Sequence, residues 1–106
     1  MESNRAADRW GALADGTRLA IVARLAEQPQ AVGQLASGLP VSRSAVSQHL
    51  KILKQAGLVE DTAAGTRRIY RLNPAALAAL RDQLDTYWQR ALAGYAEAVE
   101  APIEEA

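Results

Sequence analysis

Two helical patterns held apart by the tight break "SGLP" constrain this chain more than any other feature. Before the break, Val32, Leu35, Ala36 and Leu39 recur at i, i+3, i+4 and i+7, which is one apolar face of a helix. Gly38 and Pro40 end that helix abruptly. Ser42 then offers an N-cap hydroxyl for a second helix, and Val41 and Val46 occupy the two positions of a hydrophobic staple. The acid of a capping box is missing, because Ala45 holds its place. The second helix is expected to run to about Ala56, with Gly57 as the residue that stops it.

At about 100° per residue, Val46, Leu50 and Leu53 fall within roughly 60° of one another and form the buried side of this second helix. Opposite them stand Ser44, Gln48, Lys51 and Gln55, with Arg43 and Ser47 on the flank. All are hydrogen-bond formers and none is acidic. Lys and Arg suit guanine edges or phosphates, Gln suits adenine, and Ser suits either. Behind a tight turn, such a face reads as the DNA-facing side of a helix-turn-helix, with double-stranded DNA as the partner.

The rival chemistries are weaker. Nucleophilic catalysis needs a base aimed at a serine, and Ser42, Ser44 and Ser47 have no carboxylate pair beside them. A cap and two contacts account for them better, so no catalytic residue is assigned and an enzyme is not expected. His49 falls between the two faces, near Ala45 and Ala56, where a packed boundary residue or a phosphate contact is expected rather than a metal ligand. A merely solvated polar face is the remaining alternative.

The flanking segments supply a framework. A first helix is expected over Arg5 to Ala14, with Trp10 and Leu13 on one stripe. Asp15 can cap a second, from Thr17 to about Glu27, whose apolar face holds Leu19, Ile21, Val22 and Leu25. Pro29 stops it. After Gly57 the period changes. Leu58 and Val59, a loop through Ala63, Ala64 and Gly65, and alternation from Ile69 to Leu72 predict a β-hairpin. Its tip can carry Thr66, Arg67 and Arg68 to a phosphate or the minor groove.

Asn73 and Pro74 open a last helix. Leu77, Leu80, Leu84, Tyr87, Ala91, Tyr95 and Ala98 recur along it at steps of three and four. About seven turns of apolar stripe exceed what one small core can cover. The expected architecture is mainly α with a small β-hairpin, in the order ααααββα, over residues 1–100, with a tail at 101–106.

With 106 residues, the chain can bury roughly two-thirds of its unfolded surface, enough for one modest core. Its 49% hydrophobic and 23% charged residues argue against disorder. There is no cysteine, hence no disulfide, thiolate metal site or thiol nucleophile. The start has no apolar run like a signal peptide, and no long apolar segment follows, so a cytoplasmic protein without a membrane partner is expected. The formal net charge is zero but unevenly spread. Residues 42–72 hold six basic against two acidic side chains, a net of +4. Residues 73–106 hold two basic against six acidic, a net of −4. The local field at the basic centre, rather than the sum, decides what that region attracts.

These motifs in this order, from "ALADGTRLAIVARLAEQPQAVGQLASGLPVSRSAVSQHLKILKQAGLVE" to "GTRRIYRLN", closely resemble the ArsR/SmtB winged helix-turn-helix repressors over roughly residues 10–74. Gly16 stands where that family usually has proline. The resemblance implies a homodimer built from the first and last helices, with the Ser42–Ala56 helix in the major groove and repression by covering an operator. Trp10, Leu13, Leu77, Leu80, Leu84, Tyr87, Trp88, Ala91 and Tyr95 are the expected interface.

Many members sense metals, and here the carry-over fails. The family's cysteine pair before the turn would fall on Ala31 and Gly33, and the last helix offers Asp82, Asp85, Glu97 and Glu100 without histidine. Carboxylates along one helix are poor ligands for zinc-like ions. The chain therefore resembles the metal-independent branch, with no cofactor expected; "LDTYWQRAL" at 84–92 is similar to a subgroup of it. A winged-helix protein–protein module that does not bind DNA is the alternative from another class.

Overall fold

A computed structural model describes residues 5–100, so the expected tail at 101–106 lies outside the described residues. The elements are α1 (Arg5–Ala12), α2 (Gly16–Glu27), β1 (Gln30–Ala31), α3 (Val32–Ser37), α4 (Arg43–Gln55), β2 (Val59–Ala64), β3 (Arg67–Leu72) and α5 (Pro74–Glu100). No described helix is long and apolar enough to cross a membrane.

Local chemistry sets most boundaries. The Asp15 carboxylate accepts from the amides of Thr17 and Arg18 at 2.9 and 3.0 Å and caps α2 as expected, with the helix beginning at Gly16 rather than Thr17. Ser42 Oγ accepts from the Ala45 amide at 3.0 Å and starts α4. At the other end of α4, Gly57 takes a φ of 82°, and the Gly57 and Leu58 amides donate to the Lys54 and Leu53 carbonyls, each at 2.9 Å. That is a Schellman stop, and its apolar contact is present because Leu53 and Leu58 are both fully buried. α1 ends at Ala12 rather than Ala14, since the Leu13 and Ala14 amides close a turn onto Arg9, Trp10 and Gly11.

The sheet holds two departures from expectation. Ala63 and Ala64 belong to β2 rather than to a loop, and a two-residue turn of Gly65 and Thr66 joins β2 to β3, with Ala64 opposite Arg67. Gly65 has a φ of 66°, the first-position glycine that a tight hairpin favours. Gln30 and Ala31 form β1, antiparallel to β3 through Gln30–Tyr70 and Ala31–Ile69, and the strand order is β1-β3-β2. The helix whose apolar face was expected to begin with Val32 starts there.

The core lies between α2, α3, α4 and the root of the hairpin. Ile21, Leu25, Leu35, Val46, Leu50, Leu53, Leu58 and Val59 are buried there, joined by Ala76 and Leu80 from the first turns of α5. Fully burying each of the larger side chains contributes roughly 1.5–3 kcal/mol. Val41 packs against this cluster, as its staple position predicts. The Trp10 indole N–H donates to the Gln83 side-chain Oε1 and ties α1 to α5.

The left-handed stop at Gly57 yields a direct check. Gly57→Ala forces a Cβ into that region and should lower unfolding stability by about 1–2 kcal/mol, read from the urea midpoint. An unchanged midpoint would show that the stop does not need glycine.

Candidate nucleic-acid interface

With Val46, Leu50 and Leu53 buried, the opposite side of α4 faces outward: Arg43, Ser44, Ser47, Gln48 and Lys51 are all exposed. Ser42 is exposed too, and its oxygen caps the helix. The expected reading residues thus share one surface, fixed at both ends by the cap and the glycine stop.

His49 is the exception. It is partly buried and turned toward α2, with its Nδ1 3.3 Å from an Arg18 Nη1. A guanidinium can only donate, so Nδ1 is the acceptor of this contact. Arg18 also donates from Nε to the Ala12 carbonyl at 2.7 Å. It therefore links the end of α1, the first turn of α2 and the middle of α4. The sequence reading missed Arg18. A cation in the first turn of a helix opposes the helix dipole, and this misfit is the signal that it serves a partner elsewhere.

The hairpin closes the other margin. A cleft of about 240 Å³ between hairpin and helices is lined by Ala31, Val32, Arg43, Thr66, Arg67, Arg68 and Tyr70. Arg67 is exposed and its Nη2 lies 3.5 Å from the Gln34 side-chain Oε1, which itself accepts from the Ala31 amide at 2.8 Å. Arg68 behaves differently. Its Nε donates to Asp61 Oδ2 at 2.6 Å, while Lys54 Nζ meets Asp61 Oδ1 at 2.8 Å. Alternation along the strand separates the two arginines: Asp61, Arg68 and Tyr70 share the face that continues into Val59 and Leu72, and Arg67 stands on the other. On that other face Arg71 meets Glu60 at 3.2 Å.

This pairing refines the charge reading. Of the six cations in the basic centre, Lys54, Arg68 and Arg71 are engaged by acids. Among the described residues, Arg43, Lys51 and Arg67 make no ion pair, and they supply the outward positive field.

The α5 surface is a separate feature. Leu84, Tyr87, Trp88, Leu92, Tyr95 and Val99 are all exposed, and Leu84, Tyr87, Trp88 and Ala91 line an apolar groove rimmed by Arg81 and Asp85. Of the expected interface residues, Leu80 is buried in the core, Trp10 and Leu13 are partly buried against it, and Leu77 is partly buried. Core packing explains this, because the first turns of α5 and the end of α1 cover α4 and the hairpin root. The exposed stripe instead runs through Trp88, Leu92, Tyr95 and Val99, at steps of four, three and four; Leu92 and Val99 were not anticipated. Among the described residues, no group of three or more His, Cys, Asp or Glu could hold a metal ion.

A helix-turn-helix made of α3 and α4, followed by the β2–β3 wing, defines a winged helix-turn-helix protein. Residues 15–61 match the profile described as "Bacterial regulatory protein, arsR family". The HTH-type transcriptional regulator Rv2034 of Mycobacterium tuberculosis (strain ATCC 25618 / H37Rv) is 63% identical over 102 residues, covering 95% of each chain. Among solved structures, an ArsR-like transcriptional regulator from Rhodococcus sp. RHA1 superposes with a TM-score of 0.76 at 31% identity, covering 96% of this chain and 98% of that one. The Mycobacterium bovis domain Mb0332, described as a homodimeric winged helix-turn-helix DNA-binding domain, gives a TM-score of 0.65 at 30% identity, covering 94% and 89%. The chain belongs to the ArsR family: it is a DNA-binding transcriptional regulator and not an enzyme.

Asp61 gives this site a pH signature. Hydrogen bonds from Lys54 and then Arg68 hold its carboxyl below the ordinary value of 3.8, against a smaller desolvation effect that raises it. A carboxyl depressed in the folded state stabilises fully above its unfolded pKa and loses that contribution as pH falls through the folded value. Asp61→Asn should therefore be less stable than the parent at pH 7, with the gap shrinking below about pH 4 in thermal melts. A gap that stays constant into the acid range contradicts the ion-pair account.

Proposed function

We propose that this chain is a homodimeric repressor that reads a pseudo-palindromic operator through α4 and acts without a metal effector. The carrying observation is the exposed, acid-free face of Ser44, Ser47, Gln48 and Lys51 on a helix anchored at both ends. In this reading Gln48, Ser44 and Ser47 contact base edges, whereas Arg43, Lys51 and Arg67 position the phosphate backbone. Ser42 can donate its hydroxyl proton to a phosphate while its oxygen caps α4. His49, turned toward Arg18, is left with its second ring nitrogen at the margin of the contact.

The apolar stripe of α5 supports the homodimer, as does the homodimeric state named for Mb0332. A two-fold axis through α5 would set two α4 helices into successive major grooves, about 34 Å apart, and a protein so placed represses by covering the operator. For metal independence, the support is the donorless pair Ala31 and Gly33 together with the absence of cysteine.

Gln48→Ala should weaken binding to the preferred duplex by about 1–3 kcal/mol while sparing random duplex. An equal loss on both would remove Gln48 from base reading. Trp88→Asp should convert the dimer to a folded monomer in sedimentation velocity, with DNA binding lost alongside; a persistent dimer contradicts the α5 interface.

A further inference from the structure

We propose that Asp61 limits how many phosphate contacts this surface makes: it withholds Lys54 and Arg68 from the DNA backbone, leaving Arg43, Lys51 and Arg67 to make the phosphate contacts around α4. The inference rests on the DNA-reading role of α4 argued above.

Both withheld cations stand beside the contact surface. Around α4, Lys54 lies about 60° from Lys51 and about 20° from Arg43, so it belongs to the flank that faces the wing. Arg68 adjoins Arg67 near the wing tip. Their side chains are 54% and 56% exposed, enough for a phosphate to compete for them. What holds them back is a carboxylate only 5% exposed, seated beneath them with both oxygens engaged. Those same cations keep Asp61 ionised, so the clasp persists throughout the neutral range. Strand alternation assigns Glu60 to the opposite face with Arg71, so Glu60 is no substitute.

The consequence follows from counterion release. Non-specific affinity for duplex grows with every cation set against a phosphate, and the salt dependence steepens by about 0.9 per contact. Base reading by Gln48 and the serines gains nothing from extra phosphate contacts. Two cations held by an acid therefore lower the affinity for any duplex together with its salt dependence, so a larger share of the remaining affinity rests on the bases. The clasp also joins the last turn of α4 to both wing strands, so wing and reading helix meet the DNA as one body.

The test compares salt slopes of duplex binding for the parent, Asp61→Asn, Arg68→Gln and the double variant, on the preferred and on scrambled duplex. Glu27→Gln, at the end of α2, controls for losing one negative charge. Asp61→Asn should steepen the slope by about one to two on both duplexes, with the specific-to-random ratio largely kept. Arg68→Gln alone should leave the slope unchanged, and adding it to Asp61→Asn should remove about one unit of the increase. A folded Asp61→Asn with the parental slope overturns the proposal. So does Arg68→Gln alone if it makes the slope shallower by about one unit, and this variant decides the matter even if Asp61→Asn fails to fold. A parent protein that binds no duplex at all instead overturns the DNA-reading role on which the inference rests.

Discussion

Val46, Leu50 and Leu53 hold α4 by one side against Ile21, Leu25 and Leu35, and every functional feature follows from that contact. Once the apolar side is buried, the helical period forces Ser44, Gln48 and Lys51 outward. The Ser42 cap and the Gly57 stop then fix where the helix begins and ends, so the outward residues cannot slide along the axis. Removing one buried leucine would cost about 2–5 kcal/mol, and the reading face would lose its footing along with the core.

Charge is distributed by the same logic of faces. A net charge of zero conceals a basic centre, and three of its six cations are paired with Glu60 and Asp61. The cations left without an acid lie on the reading helix and the outer face of the wing. Binding to a polyanion is therefore concentrated on one surface of a molecule that has no overall attraction for it. The long acidic α5, by contrast, presents an exposed apolar stripe.

Features governed by neighbours along the chain were legible in the sequence. Ser42, Gly57, Pro74 and the Val41–Val46 staple act within a few residues, and each element they bound is present. Features that depend on distant partners were not. β1 is two residues long and exists because β3 pairs with it some forty positions later, so no periodicity announces it. The turning of His49 toward Arg18 and the capture of Arg68 by Asp61 likewise require the fold. The sequence set Arg67 and Arg68 together at the hairpin tip, whereas both belong to β3, where alternation points them to opposite faces. The stripe of α5 was seen as one continuous face, whereas core packing takes Leu80 and leaves the exposed face rotated toward Trp88 and Leu92.

The central claim is that the polar face of α4 reads DNA sequence as part of a two-fold-symmetric dimer. Selection of random duplexes by the purified protein, followed by sequencing, tests it most directly. The account predicts an enriched site with two inverted half-sites whose centres lie about 10–10.5 base pairs apart. A folded, dimeric protein that enriches no symmetric site would contradict it.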